Sequence, residues 1–113
     1  MEISEEIVRN VNVISLSGRL DAYAANDVEQ KLDALLAAGQ ACLVVDLKQL
    51  EYISSSGLRV LLAALKRARK QQGDIRLACL QSNVREVFDI AGFTQLFKMF
   101  DEREDAVNGF AKA

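Results

Sequence analysis

Ala41-Cys42-Leu43-Val44-Val45-Asp46-Leu47, followed after a short connection by Tyr52-Ile53-Ser54-Ser55-Ser56-Gly57-Leu58-Arg59-Val60-Leu61-Leu62, is the stretch on which the fold turns. The first segment is nearly all apolar, the pattern of a central strand flanked by neighbours and covered on at least one side. The second opens on three serines and a glycine and passes into a helical repeat. Leu58, Leu61, Leu62, Leu65 and Ala68 form one apolar stripe of a helix running from about Ser56 to Gln72. A buried strand feeding an amphipathic helix is part of a crossover connection, so a largely parallel sheet is expected.

Upstream, Glu2 to Val8 alternates with Ile3 and Ile7 on one face, Arg9 and Asn10 mark a turn, and Val11 to Leu16 completes a hairpin. Ser17-Gly18-Arg19-Leu20-Asp21 is expected to break that strand, with Asp21 capping a helix from near Ala22. Ala25, Val28, Leu32, Leu35 and Leu36 give this helix its apolar stripe, and Gly39 is a natural terminator. Downstream, a turn at Gly73-Asp74 leads to a strand over Ile75 to Leu80. Ser82 is expected to cap a third helix carrying Val84, Val87, Phe88 and Ala91 and ended by Gly92. Leu96 to Phe100 reads as a short strand, and Asp101 as the cap of a last helix with Ala106, Val107 and Phe110 inward. The predicted order is ββαβαβαβα: one α/β domain over residues 1–113, a mixed, mostly parallel sheet packed with four amphipathic helices.

The chain has 113 residues, 50% hydrophobic and 27% charged, enough to bury a core without metal or disulfide support. A net charge of -2 gives no global attraction to nucleic acid or to an anionic membrane. No apolar run approaches the roughly 20 residues of a membrane span, and Glu2, Glu5 and Glu6 are unlike a basic leader, so a cytoplasmic protein is expected. Histidine is absent, which removes the usual general base for a serine or cysteine nucleophile and the commonest ligand of catalytic zinc. Cys42 and Cys79 sit in apolar runs without metal or redox spacing. No enzyme activity, metal or cofactor is expected.

The serine cluster admits several readings. Capping accounts for one serine and not for three. A phosphate-binding loop needs Gly-Lys-Ser or Gly-Lys-Thr, and Gly57 has no lysine beside it. A nucleophile elbow needs Gly-x-Ser-x-Gly, and Ile53 occupies the position of its first glycine. What remains is a serine at a helix N-terminus, where free amides and the helix dipole accept a phosphate without unfolding the domain. Such a phosphate adds about -1.5 to -2 charges and changes the surface offered to a partner.

Taken together, Ser17-Gly18-Arg19-Leu20-Asp21, Val44-Val45-Asp46-Leu47, Ile53-Ser54-Ser55-Ser56-Gly57-Leu58 and Val87-Phe88-Asp89-Ile90-Ala91-Gly92-Phe93 resemble, in order, the STAS domain of anti-sigma factor antagonists. The resemblance implies a phosphorylatable serine at the start of the second helix. In the usual Asp-Ser-Ser-Gly motif the acceptor is the first serine, which aligned on Gly57 is Ser55, with Ser54 and Ser56 as neighbouring alternatives. Ser54 stands where the motif has aspartate, and both residue types cap helices. By the same resemblance Asp21 lies near the partner surface, and the partner surface comprises Asp21, Ser54, Ser55, Ser56, Gly57 and Arg59. The family's unmodified form binds an anti-sigma factor, often also the serine kinase, and releases the sigma factor; a serine phosphatase restores the binding form.

Arg59, four residues after Ser55, is placed to reach a phosphate or a partner carboxylate. Lys66, Arg67, Arg69 and Lys70 read as a solvated face whose cations complement the helix C-terminus. The alternative functions for this fold are a regulatory STAS subunit of a transporter or larger signalling assembly, and a small-ligand-sensing domain.

Overall fold

The computed structural model describes residues 1–111. Its elements are β1 (Glu2–Val8), β2 (Val11–Leu20), α1 (Ala22–Ala37), β3 (Cys42–Ile53), α2 (Ser55–Lys70), β4 (Asp74–Ala78), α3 (Ser82–Ala91), β5 (Met99–Phe100) and α4 (Arg103–Ala111), in the expected order. Arg9 and Asn10 take φ values of 50° and 66°, the positive-φ pair of a tight hairpin turn, and Val8 pairs with Val11 across it. The β1–β2 pairing is antiparallel; β2–β3, β3–β4 and β4–β5 are parallel.

Strand order along the sheet is β1-β2-β3-β4-β5. Successive crossovers of one hand that always step in the same direction deliver their helices to the same face. Accordingly α1, α2 and α3 share a core with Leu43, Val45, Leu47, Leu50 and Ile53 of β3. The opposite face carries α4, whose Ala106 and Val107 pack on Val11, Val13, Val44 and Ala78. The alternation of Val44 and Val45 between the two clusters is the period-two side-chain geometry of a strand. Among the described residues the strand order never reverses, so the sheet has no topological switch point of the kind at which doubly wound folds hold nucleotides.

Five local expectations are corrected. Ser17-Gly18-Arg19-Leu20 does not end β2: the strand runs on to Leu20, paired with β3 across register shifts at Ser15/Ser17 and Gly18/Arg19, with Gly18 at φ 102°. The connection after Leu47 is likewise strand as far as Ile53. At α3 the cap position belongs to Gln81, without a side-chain cap bond, so Ser82 is the first helical residue. The last helix starts at Arg103, two residues beyond Asp101, and the strand before it is only Met99–Phe100. Gly39 and Gly92 end α1 and α3 as expected, at φ 81° and 77°.

The cations late in α2 serve partly in the fold. Arg67 pairs with Asp33 of α1, and Arg69 donates to Asp74 at 3.1 Å and to the Leu96 carbonyl at 2.7 Å. Lys66 and Lys70 are exposed.

Candidate functional site at the carboxyl ends of β2 and β3

Strands β2 and β3 finish side by side, with Leu20 opposite Ile53, and the Ser54 amide donates to the Leu20 carbonyl at 2.8 Å. Each strand turns into a helix through an extended capping residue. Asp21 (φ -91°, ψ -174°) accepts from the Ala24 amide through Oδ1 at 2.9 Å. Ser54 (φ -89°, ψ 169°) accepts from the Gly57 amide through Oγ at 3.1 Å. Two helix N-termini, each with positive dipole character and unsatisfied amides, thus open on the same end of the sheet.

Their closeness depends on Gly57. A Cβ at this position meets Leu20 Cγ at 2.7 Å and Ile53 Cγ1 at 3.0 Å, so the first turn of α2 rests on the strand ends with no room for a side chain. The capping and the glycine together set the orientation of the three serines. Ser54 uses its hydroxyl as the cap and is half-buried. Ser56 is also half-buried, and Ser55, the first helical residue, is exposed. The amides of Ser55 and Ser56 precede the first amide that donates within the helix, that of Leu58 to the Ser54 carbonyl at 3.0 Å, and face the end of the helix. The exposed Arg59 side chain lies over the same turn, with Nε 3.5 Å from the Ser55 carbonyl.

All six expected site residues, Asp21, Ser54, Ser55, Ser56, Gly57 and Arg59, therefore lie at this end of the sheet, on β2–α1 or β3–α2. Their roles differ: Gly57 is buried and supports the turn, Asp21 and Ser54 cap, and Ser55 and Arg59 are accessible. Beside them the Arg19 guanidinium carbon lies 4.2 Å from the centre of the Tyr52 ring. Arg19 also lines, with Met1, Gly18, Asp21, Tyr23 and Asp27, an open depression of about 570 Å³. Arg19, Tyr23 and Tyr52 were not among the residues expected from sequence; a pair of aromatics flanking two capping residues was their only local signal.

A second polar constellation lies on the α4 side of the sheet. Arg103 donates to Asp46 at 3.0 Å and to the Ser15 hydroxyl at 2.9 Å, and it pairs with Glu6. One guanidinium thereby ties the start of α4 to β1, β2 and β3. Burial lowers and the carboxylates of Asp46 and Glu6 raise its affinity for the proton, with the net effect upward. Close by, burial and then the Asp46 charge push the Cys79 thiol above its usual range, against a hydrogen bond from the Arg103 backbone. Cys42 and Cys79 are both free and half-buried.

Residues 2–106 match the STAS domain model, and the chain belongs to that family. It is similar to BtrV of Bordetella bronchiseptica, provisionally named an anti-sigma factor antagonist: 36% identical over 113 residues, covering 100% of this chain and 97% of that protein. It is 31% identical over 109 residues to the anti-sigma-B factor antagonist of Bacillus subtilis, covering 95% of this chain and 99% of the relative. The fold is also that of the Bacillus anti-sigma factor antagonist SpoIIAA. Its unphosphorylated form superimposes with a TM-score of 0.77 at 22% identity, over 99% of each chain. Its phosphorylated form gives a TM-score of 0.77 at 22% identity, over 96% of this chain and 99% of that one. Among the described residues no helix is long and apolar enough to cross a membrane.

Proposed function

We propose that this chain is an anti-sigma factor antagonist: its unmodified form binds an anti-sigma factor that is also a serine kinase, and that binding releases the sigma factor. Phosphorylation of Ser55 switches the binding off, and a serine phosphatase restores it. The antagonist performs no catalysis in this cycle, and the ATP belongs to the kinase. The observation that carries the reading is the placement of Ser55, exposed as the first residue of α2 while the Ser54 hydroxyl is held by the Gly57 amide. Of the three serines, Ser55 alone is exposed; Ser54 and Ser56 are half-buried, and the Ser54 hydroxyl is committed to the cap.

The chemistry of the turn supports the switch. A phosphate on Ser55 sits at the amide-rich end of α2, where negative charge is favoured, and within reach of Arg59. The domain therefore has no reason to refold on modification, and the penalty falls on the complex, which must bury a dianion against a surface fitted to a neutral serine. Relatives matched over nearly their whole length carry the antagonist name, which favours this role over a transporter subunit or a small-ligand sensor.

The reading is tested by capturing partners on the immobilised unmodified chain, identifying the retained proteins by mass spectrometry, and repeating the capture after incubation with ATP. An anti-sigma factor kinase retained without ATP and lost with it is the expected result. Retention of transporter components instead would overturn the reading.

A further inference from the structure

We infer that Tyr23 is the aromatic anchor of the partner surface, set on α1 so that affinity and switching reside on different helices; this rests on the antagonist reading above. The chain has two tyrosines, and both lie at the carboxyl ends of β2 and β3. Tyr23 is 93% exposed in the first turn of α1. The core stripe of that helix is built from Ala24, Ala25, Val28, Leu32, Leu35 and Leu36, so the fold makes no use of the Tyr23 ring.

Single exposed apolar residues are common and need no explanation, and Ile7 on β1 and Ile90 on α3 fall under that rule. Tyr23 does not stand alone. It shares the depression of about 570 Å³ with Arg19, and Arg19 stacks on Tyr52. Tyrosine and arginine are the residue types enriched where interfaces concentrate their binding energy, because they offer large, stiff contact area with a polar tip.

The occupant is the same partner that reads Ser55. Helices α1 and α2 start from paired strand ends, Leu20 against Ile53, joined by the bond from the Ser54 amide to the Leu20 carbonyl. A protein surface of ordinary interface size, about 800 Å² on each side, that covers Ser55 also covers the first turn of α1. The partner then presents an apolar socket to the Tyr23 ring, open to water at the hydroxyl. Tyr23 contributes equally to complexes of either phosphorylation state, whereas the Ser55 phosphate penalises one of them.

The test measures binding of wild type, Tyr23→Ala, Tyr23→Phe and Ile90→Ala to the purified anti-sigma factor kinase that the wild-type chain retains. Tyr23→Ala is expected to weaken binding at least tenfold with an unchanged melting temperature, while Tyr23→Phe and Ile90→Ala stay within about threefold of wild type. In the kinase reaction Tyr23→Ala raises KM and leaves kcat unchanged, the signature of lost uniform binding. A wild-type complex that Tyr23→Ala leaves within twofold overturns this inference alone. Failure of the wild-type chain to bind any anti-sigma factor overturns the antagonist reading and this inference with it.

Discussion

Gly57 and Leu20 are in direct contact across the carboxyl ends of two neighbouring strands, with 2.7 Å between the Leu20 Cγ and the place a Gly57 Cβ would occupy. On helix propensity alone, alanine at this position would stabilise α2 by about 1 kcal/mol. The contact reverses the sign: Gly57→Ala is expected to destabilise by about 1–3 kcal/mol, as overpacked cores do. Denaturant unfolding measures the difference, and a stabilised variant would contradict the close approach.

Ser54 has its hydroxyl committed to the α2 cap. Ser54→Ala is therefore expected to lose about 1 kcal/mol, and Ser54→Asp to retain wild-type stability because aspartate caps equally well. Thermal unfolding of the two variants separates a capping role from mere proximity to Ser55. Equal melting of Ser54→Ala and wild type would contradict a stabilising cap at Ser54.

Asp21 caps α1 and also borders the depression that holds Tyr23. Asparagine retains the cap and removes the charge. Asp21→Asn should melt as wild type does and bind the partner more weakly, read by calorimetry. Unchanged affinity would leave Asp21 with its structural role only.

Asp46 is 8% exposed, and its carboxylate accepts from Arg103 and from the Lys48 amide. Arg103→Met removes the first of these and should cost about 1–3 kcal/mol, the range for a buried acceptor deprived of its partner. Adding Asp46→Asn should recover part of the loss, because the two effects share one interaction. Strictly additive losses in urea melts would contradict the coupling.

The sequence and the structure agree where the signal is local. The apolar run over Leu43–Leu47, the stripes of α1 and α2 and the ends at Gly39 and Gly92 each announce themselves within a few residues. The two caps at the candidate site were legible for the same reason, since Asp21 and Ser54 cap the helices that immediately follow them, whereas the choice of Ser55 came from the family resemblance. What local signal did not reveal depends on pairing. The polar stretch Lys48-Gln49 looks like a connection, yet β2 lies beside it and supplies hydrogen-bonding partners, so the strand continues. Gly18 reads as a breaker because its role in an irregular pairing is set by the neighbouring strand. Arg103 meets Asp46, Ser15 and Glu6 across separations of 57, 88 and 97 residues, which no periodicity records. Which helices share a face follows from the handedness and direction of the crossovers.

Charge on Ser55 alone is expected to turn binding off. The most direct test is the affinity of the purified anti-sigma factor for the unmodified chain and for the chain stoichiometrically phosphorylated at Ser55, with the modified residue mapped by mass spectrometry. The modified form is expected to bind about a hundredfold or more weakly, the cost of burying an incompletely satisfied dianion. Equal affinity of the two forms, or modification confined to Ser54 or Ser56, would contradict it.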